Sequence, residues 1–297
     1  MDRRSKEELG RLLGAPVARH APVSGGCIAD ARRVDLADGR VVFVKSGAGL
    51  AEGLLDAEAE GLRWLRAGVD AAHGGDAGDA AGTDDDRLGV PAVLASSADP
   101  PLLVLEWIDE GPARPGTAAR LARGLARLHA TGPDRFGWHR DGFIGAIPQR
   151  NTPGADDWPT FWFTHRIEPL ARRALPDHRS LVDRLGARLP ELAGPPEPPA
   201  RLHGDLWSGN VLVGADGRPW LVDPAAYGGH REVDLGMYQI FGPADDAFFA
   251  AYHEVHPLAD GWRERLPLWQ LETLLVHTIH FGGGYGPRAL AVLRRYA

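Results

Sequence analysis

The sequence predicts an α+β fold of two lobes, a small antiparallel sheet followed by a mainly helical part. In the first 108 residues, short apolar runs such as 34–36 and 41–44 flank the turn residues 37–39, which predicts hairpins. Beyond them, apolar residues recur at helical spacing, as Leu121, Leu125 and Leu128 do in 117–129. We therefore expect an amino-terminal lobe at 1–108 and a carboxy-terminal lobe at 109–297.

Composition limits the class of protein. With 297 residues and 44% hydrophobic content the chain can bury a sizeable core, and no run approaches the ~20 apolar residues of a membrane span. The charged start leads into an amphipathic stretch, and we expect a cytoplasmic protein that does not insert into a membrane. A formal net charge of -7 argues against a nucleic-acid partner. The single cysteine, Cys27, excludes an intramolecular disulfide or a cysteine-based zinc site.

The first helix is predicted from Ser5, which stands three residues before Glu8 in the pattern of a capping box. The adjacent glycines Gly25 and Gly26 then lie between expected strands, where they would let the backbone approach a ligand and expose amide donors. A phosphate-covering loop and a plain hairpin turn both fit this pattern. Cys27 is either a redox-sensitive thiol or a small packing residue.

Lys45 and Glu58 are predicted to pair. Lys45 ends the second expected hairpin, and Glu58 lies among the leucines on the core-facing side of the following helix, near Leu54 and Leu62. A carboxylate placed there needs a partner. A strand lysine paired with a helix glutamate holds the α- and β-phosphates of the nucleotide in kinases.

A flexible insertion is predicted at 70–87, where Gly, Ala and Asp dominate. Strands are expected at 90–94 and 102–105. Glu106 and Ile108 then follow in a turn suited to a hinge between the lobes, where their backbone groups would face an adenine. Further helices are expected at 158–170, 180–192, 246–253 and 266–280, and we assign His277 and His280 to packing or pocket lining.

The segment from His203 to Asn210, followed by a short hairpin that ends at Asp223, carries the chemistry. Asp205 and Asn210 are five positions apart, as the base and the metal-ligand Asn are in a kinase catalytic loop. Antiparallel pairing of 211–213 with 221–222 would bring Asn210 beside Asp223, and oxygen ligands of this kind suit Mg²⁺. Asp205 would stay apart and accept a proton. Asp234 is expected to brace the loop near His203.

These residues resemble those of the fructosamine kinase (ketosamine-3-kinase) family over nearly the whole chain. The resemblance rests on the loop 203–210, on 223–225, and on 227–232, together with 25–28, 43–45, 143–145, Gln149 and Asn151. The Trp207-Ser208-Gly209 segment separates this family from aminoglycoside phosphotransferases and choline kinases, which share the His-x-Asp and the Asn. Ser24-Gly25-Gly26 departs from the three glycines common in the family.

The resemblance implies a bilobal protein-kinase-like fold that uses ATP and Mg²⁺ to phosphorylate the 3-hydroxyl of sugars attached to amines. The adduct then decomposes and releases the amine, which amounts to deglycation. Carried over by position, Asp205 would be the base, Asn210 and Asp223 would hold Mg²⁺, and Lys45 with Glu58 would orient the phosphates. Trp207 would form a wall of the sugar-amine pocket.

Alternatives remain at this point. An aminoglycoside or choline phosphotransferase would share most of these residues, and a nucleotide-binding pseudokinase scaffold would share the fold. We expect a monomer. The sequence leaves open the preferred sugar and amine, and whether the substrate is a free metabolite or a protein-bound adduct.

Overall fold

The computed structural model describes residues 1–23, 29–74, 86–242 and 244–297 of the chain. Within these ranges it forms the predicted α+β architecture of two lobes. Gly25, Gly26 and Cys27 lie outside the described residues, as do 75–85 of the predicted insertion. None of the helices in the described ranges combines the length and the apolar character needed to cross a membrane.

The amino-terminal lobe is built on a five-stranded antiparallel sheet with strand order β1-β2-β3-β5-β4. Its elements are α1 (Arg3–Leu13), β1 (Val17–Pro22), β2 (Asp30–Leu36), β3 (Val41–Ser46), α2 (Leu54–Gly74), β4 (Val93–Ala98) and β5 (Pro101–Glu106). Because side chains alternate along a strand, Leu102 and Val104 of β5 pack with Leu9 of α1, while Leu103 packs on the other face with Leu62 of α2. Helix α2 thus lies between the sheet and the rest of the molecule.

Three predictions for this lobe are wrong in detail. Helix α1 is capped by Asp2, whose carboxylate accepts a hydrogen bond from the Ser5 amide at 2.8 Å, so Ser5 is not the cap. Strand β4 begins at Val93 rather than at residue 90, because Pro91 has no amide to donate to a ladder. The insertion predicted from residue 70 is still helical up to 74, and its far end is anchored by Asp86, which accepts from Arg123.

The carboxy-terminal lobe is mainly helical. Its elements are α3 (Thr117–His129), β6 (Gly142–Ile144), β7 (Ile147–Gln149), α4 (Trp158–Trp162), a π-helical turn (Phe163–Ile167), α5 (Glu168–Ala174), α6 (Arg179–Leu192), β8 (Ala200–Leu202), β9 (Val211–Val213), β10 (Pro219–Leu221), β11 (Tyr227–Gly229), α7 (Glu232–Phe241), α8 (Asp246–Val255), α9 (Trp262–Phe281) and α10 (Tyr285–Tyr296). The strands form the two-stranded pairs β6-β7, β8-β11 and β9-β10.

The predicted helices of this lobe are present, with α3 at its predicted bounds. Helix α10 was missed, although its buried residues Ala289, Leu293 and Tyr296 follow a helical stripe. One apolar cluster joins the lobes, since it contains Leu103 of the sheet and Leu125 of α3. The same cluster contains Leu54 and Ala226, which also line the cavity described next.

Candidate active site

The loop between β8 and β9 is held by Asp234 in the first turn of α7. The Asp234 carboxylate accepts from the amide of His203 at 2.7 Å and from that of Gly204 at 2.9 Å, as expected. Gly204 has φ of 79°, and a Cβ there would lie 2.1 Å from the Ala225 carbonyl oxygen, so glycine is required. The His203 ring accepts from the Asp205 amide at 3.2 Å. The loop therefore presents Asp205 from a fixed backbone.

The hairpin of β9 and β10 brings Asn210 and Asp223 together, as the spacing predicts. The amide of Val222 donates to the Asn210 carbonyl at 3.0 Å, and Asn210 Nδ2 lies 3.4 Å from the Asp223 carbonyl oxygen. Asp223 has φ of 55°, a left-handed backbone that Asp tolerates better than most residues. Such strain is typical of functional sites.

Asp205 does not stay apart, so that expectation was wrong. A short 3₁₀ turn, Ser208–Asn210, folds the Asn210 side chain back toward it. Asn210 Nδ2 donates to the Asp205 carbonyl at 2.8 Å and to its carboxylate at 3.0 Å. The Asn210 amide nitrogen is therefore committed to protein oxygens, and its Oδ1 is the atom left for a ligand.

Burial raises the pKa of the Asp205 carboxyl to about 7. The hydrogen bond from Asn210 lowers this pKa, and the nearby charges of Asp223 and Asp234 raise it further. A carboxylate with a pKa near the working pH is well matched to accept a proton in a reaction. Asp205 has the electrostatics of a general base.

Lys45 and Glu58 form the predicted ion pair, with Nζ and Oε1 separated by 2.9 Å. Lys45 Nζ also contacts Asp223 Oδ1, so one ammonium joins β3, α2 and the end of the β9-β10 hairpin. Burial alone would lower the pKa of Lys45, but the two carboxylates outweigh it and raise that pKa. Burial raises the pKa of Glu58, which the ammonium partly offsets. This lysine remains a cation in a largely buried place.

These groups line one cavity of about 650 Å³ between the lobes. Its walls include Lys45, Glu58, Asp205, Trp207, Asn210, Asp223, Phe143, Gln149, His277, His280 and Phe281. The Trp207 side chain is 39% exposed at this wall. Pocket lining by His277 and His280 is confirmed. Glu106 and Ile108 are not among the lining residues, and the Glu106 amide donates to the Ala92 carbonyl at 3.0 Å.

The β6-β7 hairpin is the part of the wall to which the sequence assigned no role. Phe143 and Gln149 come from it, and His280 Nε2 lies 3.5 Å from the Ile144 carbonyl oxygen, which links the hairpin to α9. Phe143-Ile144-Gly145 and Pro148-Gln149 are part of the family resemblance, but the place of this hairpin in the wall of the cavity that Asp205 also lines depends on contacts between residues far apart in the chain.

The ligand chemistry fits a hard cation such as Mg²⁺. Asn210 Oδ1 and the Asp223 carboxylate, whose side chain is 33% exposed, are oxygen donors at the cavity wall. Mg²⁺ binds through one or two carboxylates and keeps several waters, so it needs no cage of protein ligands. In the described part of the chain, no group of three or more His, Cys, Asp or Glu side chains could hold a metal ion.

The arrangement of the site matches that of a protein kinase. It consists of a lysine on strand β3, a glutamate on the next helix, and a loop and hairpin that carry Asp205, Asn210 and Asp223. The model of the family described as "Fructosamine kinase" matches residues 1–297. The chain belongs to the fructosamine kinase family. The family predicted from the residues, and with it the protein-kinase-like fold, is confirmed.

Relatives within the family cover most of this chain. It is 36% identical over 300 residues to a "probable ketoamine kinase" of Synechocystis, and the match covers 97% of this chain and 94% of that one. It is 32% identical to a protein-ribulosamine 3-kinase of Oryza sativa subsp. indica, over 92% of this chain and 77% of that one. A crystal structure named "putative fructosamine-3-kinase" from Thermobifida fusca is 41% identical, with a TM-score of 0.82 over 97% and 98% of the two chains.

Proposed function

We propose that this member of the fructosamine kinase family transfers the γ-phosphoryl group of ATP to the 3-hydroxyl of a ketosamine, a fructosamine or ribulosamine adduct. The observation that carries the proposal is the convergence of Asp205, Asn210, Asp223 and Lys45 on one cavity. The names of the family and of the relatives point to the same substrate class.

The roles of the residues follow from their chemistry. Asp205 would take the proton of the 3-hydroxyl as that oxygen bonds to the γ-phosphorus and ADP leaves. Lys45, held by Glu58, would bind the α- and β-phosphates. Asn210 and Asp223 would hold Mg²⁺, which neutralises charge on the phosphates when bound. Trp207 would pack on the C–H face of the sugar.

The remaining nucleotide contacts are proposals from the sequence. Gly25 and Gly26 would cover the phosphates. The Glu106 carbonyl and backbone groups of Ile108 would contact the adenine, since the Glu106 amide already donates to Ala92. The phosphorylated adduct would decompose to release the amine, so the net activity is deglycation. We also propose that the enzyme is cytoplasmic, since its single cysteine suits a reducing compartment. That it acts as a monomer stays a prediction.

The test is ADP release in an ATP-coupled assay with fructosyl-lysine and ribulosyl-lysine. Asp205→Asn should lower kcat by about 10²- to 10⁴-fold, because it removes the proton acceptor. ATP binding should persist in this variant. Asp216→Asn is the matched control, since Asp216 is exposed in the β9-β10 turn, and it should act like wild type.

Two outcomes would contradict the proposal and indicate another function. ADP release with an aminoglycoside or choline, and none with any ketosamine, would indicate another phosphotransferase. Binding of Mg-ATP without turnover on any of these acceptors would indicate a scaffold.

A further inference from the structure

Gln149 is a buried polar side chain in the cavity wall with no partner. It ends strand β7, is 4% exposed and lines the cavity that also holds Asp205 and Trp207. Both its Oε1 and its Nε2 lack a hydrogen bond to any group in the described ranges. Buried amides are nearly always hydrogen-bonded, because an unpaired one loses its water without compensation.

A buried amide close to Gln149 in the chain does have hydrogen-bond partners. Asn151, two residues further on, is fully buried, yet its Nδ2 donates to the Arg140 carbonyl at 3.1 Å and its Oδ1 accepts from Arg166 at 2.6 Å. Arg166 is itself paired with the buried Glu272 at 3.2 Å. The fold therefore satisfies the neighbouring amide and leaves that of Gln149 for something else.

The backbone holds Gln149 in place without help from its side chain. Residue 149 pairs with Gly142 across the β6-β7 hairpin, and the hairpin is linked to α9 through Ile144 and His280. The side-chain amide is thus a preformed group with one acceptor oxygen and two donor hydrogens. Its natural complement is a pair of hydroxyls, each of which both donates and accepts.

We propose that the Gln149 amide hydrogen-bonds hydroxyls of the sugar chain of the substrate, other than the one that is phosphorylated, and so selects polyhydroxylated ketosamines. This inference rests on the proposed function. A neutral amide suits neutral hydroxyls, whereas the phosphates of the nucleotide call for cations such as Lys45. The site thereby divides into a charged part that binds phosphate and a neutral part that recognises the sugar.

The decisive variant is Gln149→Met, which keeps the shape of the side chain and removes its hydrogen bonds. We expect kcat/KM for fructosyl-lysine to fall roughly 10- to 100-fold, mainly through KM, because the substrate hydroxyls lose their partner. The KM for ATP should not change. The midpoint of urea unfolding without substrate should stay the same or rise, since an unpaired amide has been removed. If Gln149 had only a structural role, Gln149→Met should instead lower the midpoint of urea unfolding.

A thermodynamic cycle makes the test specific. It combines Gln149→Met in the protein with removal of the hydroxyl at carbon 4 or carbon 5 of fructosyl-lysine. Wild type should discriminate against at least one analogue, and Gln149→Met should discriminate much less. Pro148→Ala, an exposed change in the same hairpin, should retain the wild-type preference.

Three results would overturn the inference. These are equal discrimination by wild type and Gln149→Met, an increase in KM for ATP alone, or an unchanged kcat/KM for fructosyl-lysine. If the wild type phosphorylates no ketosamine at all, the proposed function and this inference fall together. If the wild type phosphorylates ketosamines but the effects of Gln149→Met and of deoxygenation simply add, only this inference falls.

Discussion

Trp207 and Gly209 are fitted to each other in the active-site loop. A Cβ placed on Gly209 would lie 2.2 Å from the Trp207 ring, so the indole packs directly over the glycine backbone. Ser208 Oγ donates to the Phe241 carbonyl at 2.7 Å and ties the same turn to α7. The Trp-Ser-Gly segment is therefore a single structural unit that sets the position of an aromatic wall.

Gly209→Ala should displace the Trp207 indole. Gly209 does not have a left-handed φ, so alanine fits the backbone, and the 39% exposed ring can move outward with a change in unfolding free energy within about 1 kcal/mol. We expect the KM for fructosyl-lysine to rise about 2- to 10-fold, from the loss of one aromatic contact. Steady-state kinetics measures this. Gly284→Ala, with no atom within 4 Å of its new Cβ, is the control, and equal KM values in all three proteins would contradict the role of Trp207.

The start of helix α1 shows how a local pattern can point to the wrong residue. Ser5 and Glu8 match a capping box, but Asp2 is also an N-cap residue type and lies three residues before the Ser5 amide. The carboxylate also interacts favourably with the positive end of the helix dipole. Asp2 therefore extends the helix by a turn and helps to position Leu9 against the sheet.

Asp2→Ala should lower the free energy of unfolding, because the Ser5 amide loses its acceptor. Asp2→Asn should lose less, since its side-chain oxygen can still accept that bond. Urea unfolding followed by tryptophan fluorescence separates the two. Equal stability of wild type and Asp2→Ala would show that this cap contributes nothing.

Sequence spacing was sufficient where the partners are close in the chain. It predicted the helix of α3, the approach of Asn210 to Asp223 across a short hairpin, and the Lys45–Glu58 pair over 13 residues. The contact of Lys45 with Asp223 joins residues 178 positions apart, so no local pattern encodes it. The same holds for Gln149, because its role depends on which elements surround the β6-β7 hairpin. The turn that folds Asn210 onto Asp205 reflects backbone geometry that spacing does not specify.

At the scale of the whole molecule, one apolar cluster joins the two lobes. It contains Leu103 of the sheet, Leu62 of α2, Leu125 of α3 and Phe248 of α8. Since the lobes share buried surface, the described parts should lose structure together. The boundary between 108 and 109 stays a prediction, because a shared core marks no division.

His230 is a buried titratable group in the core of the helical lobe. Its ring lies against Trp269, with centroids 5.4 Å apart, and its Nδ1 accepts from the Glu232 amide at 3.3 Å. The carboxylates of Glu232 and Glu197 and the guanidinium groups of Arg231 and Arg265 surround it. Burial lowers the pKa of His230 below its usual value, and the nearby carboxylates only partly oppose this. The ring is therefore neutral in the folded protein at pH 7.

The contribution of His230 to the free energy of unfolding should consequently fall as the pH drops below about 6.5, the pKa of an unfolded-state histidine. Below that pH the unfolded chain binds a proton that the folded His230 does not, so each pH unit costs up to about 1.4 kcal/mol for this group. Burial would raise the pKa of Glu197, but the hydrogen bond from Arg231 and the nearby positive charges lower it overall. Glu197 therefore adds a loss of stability only below the pKa of an unfolded-state glutamate, about 4.3. His230→Asn keeps an acceptor for the Glu232 amide and removes the titration. As the pH falls from 7 to 5, urea unfolding should show that this variant loses less stability, or gains more, than wild type, even if it is less stable at pH 7. Parallel curves for the two proteins would mean that His230 has the same pKa in the folded and unfolded chains.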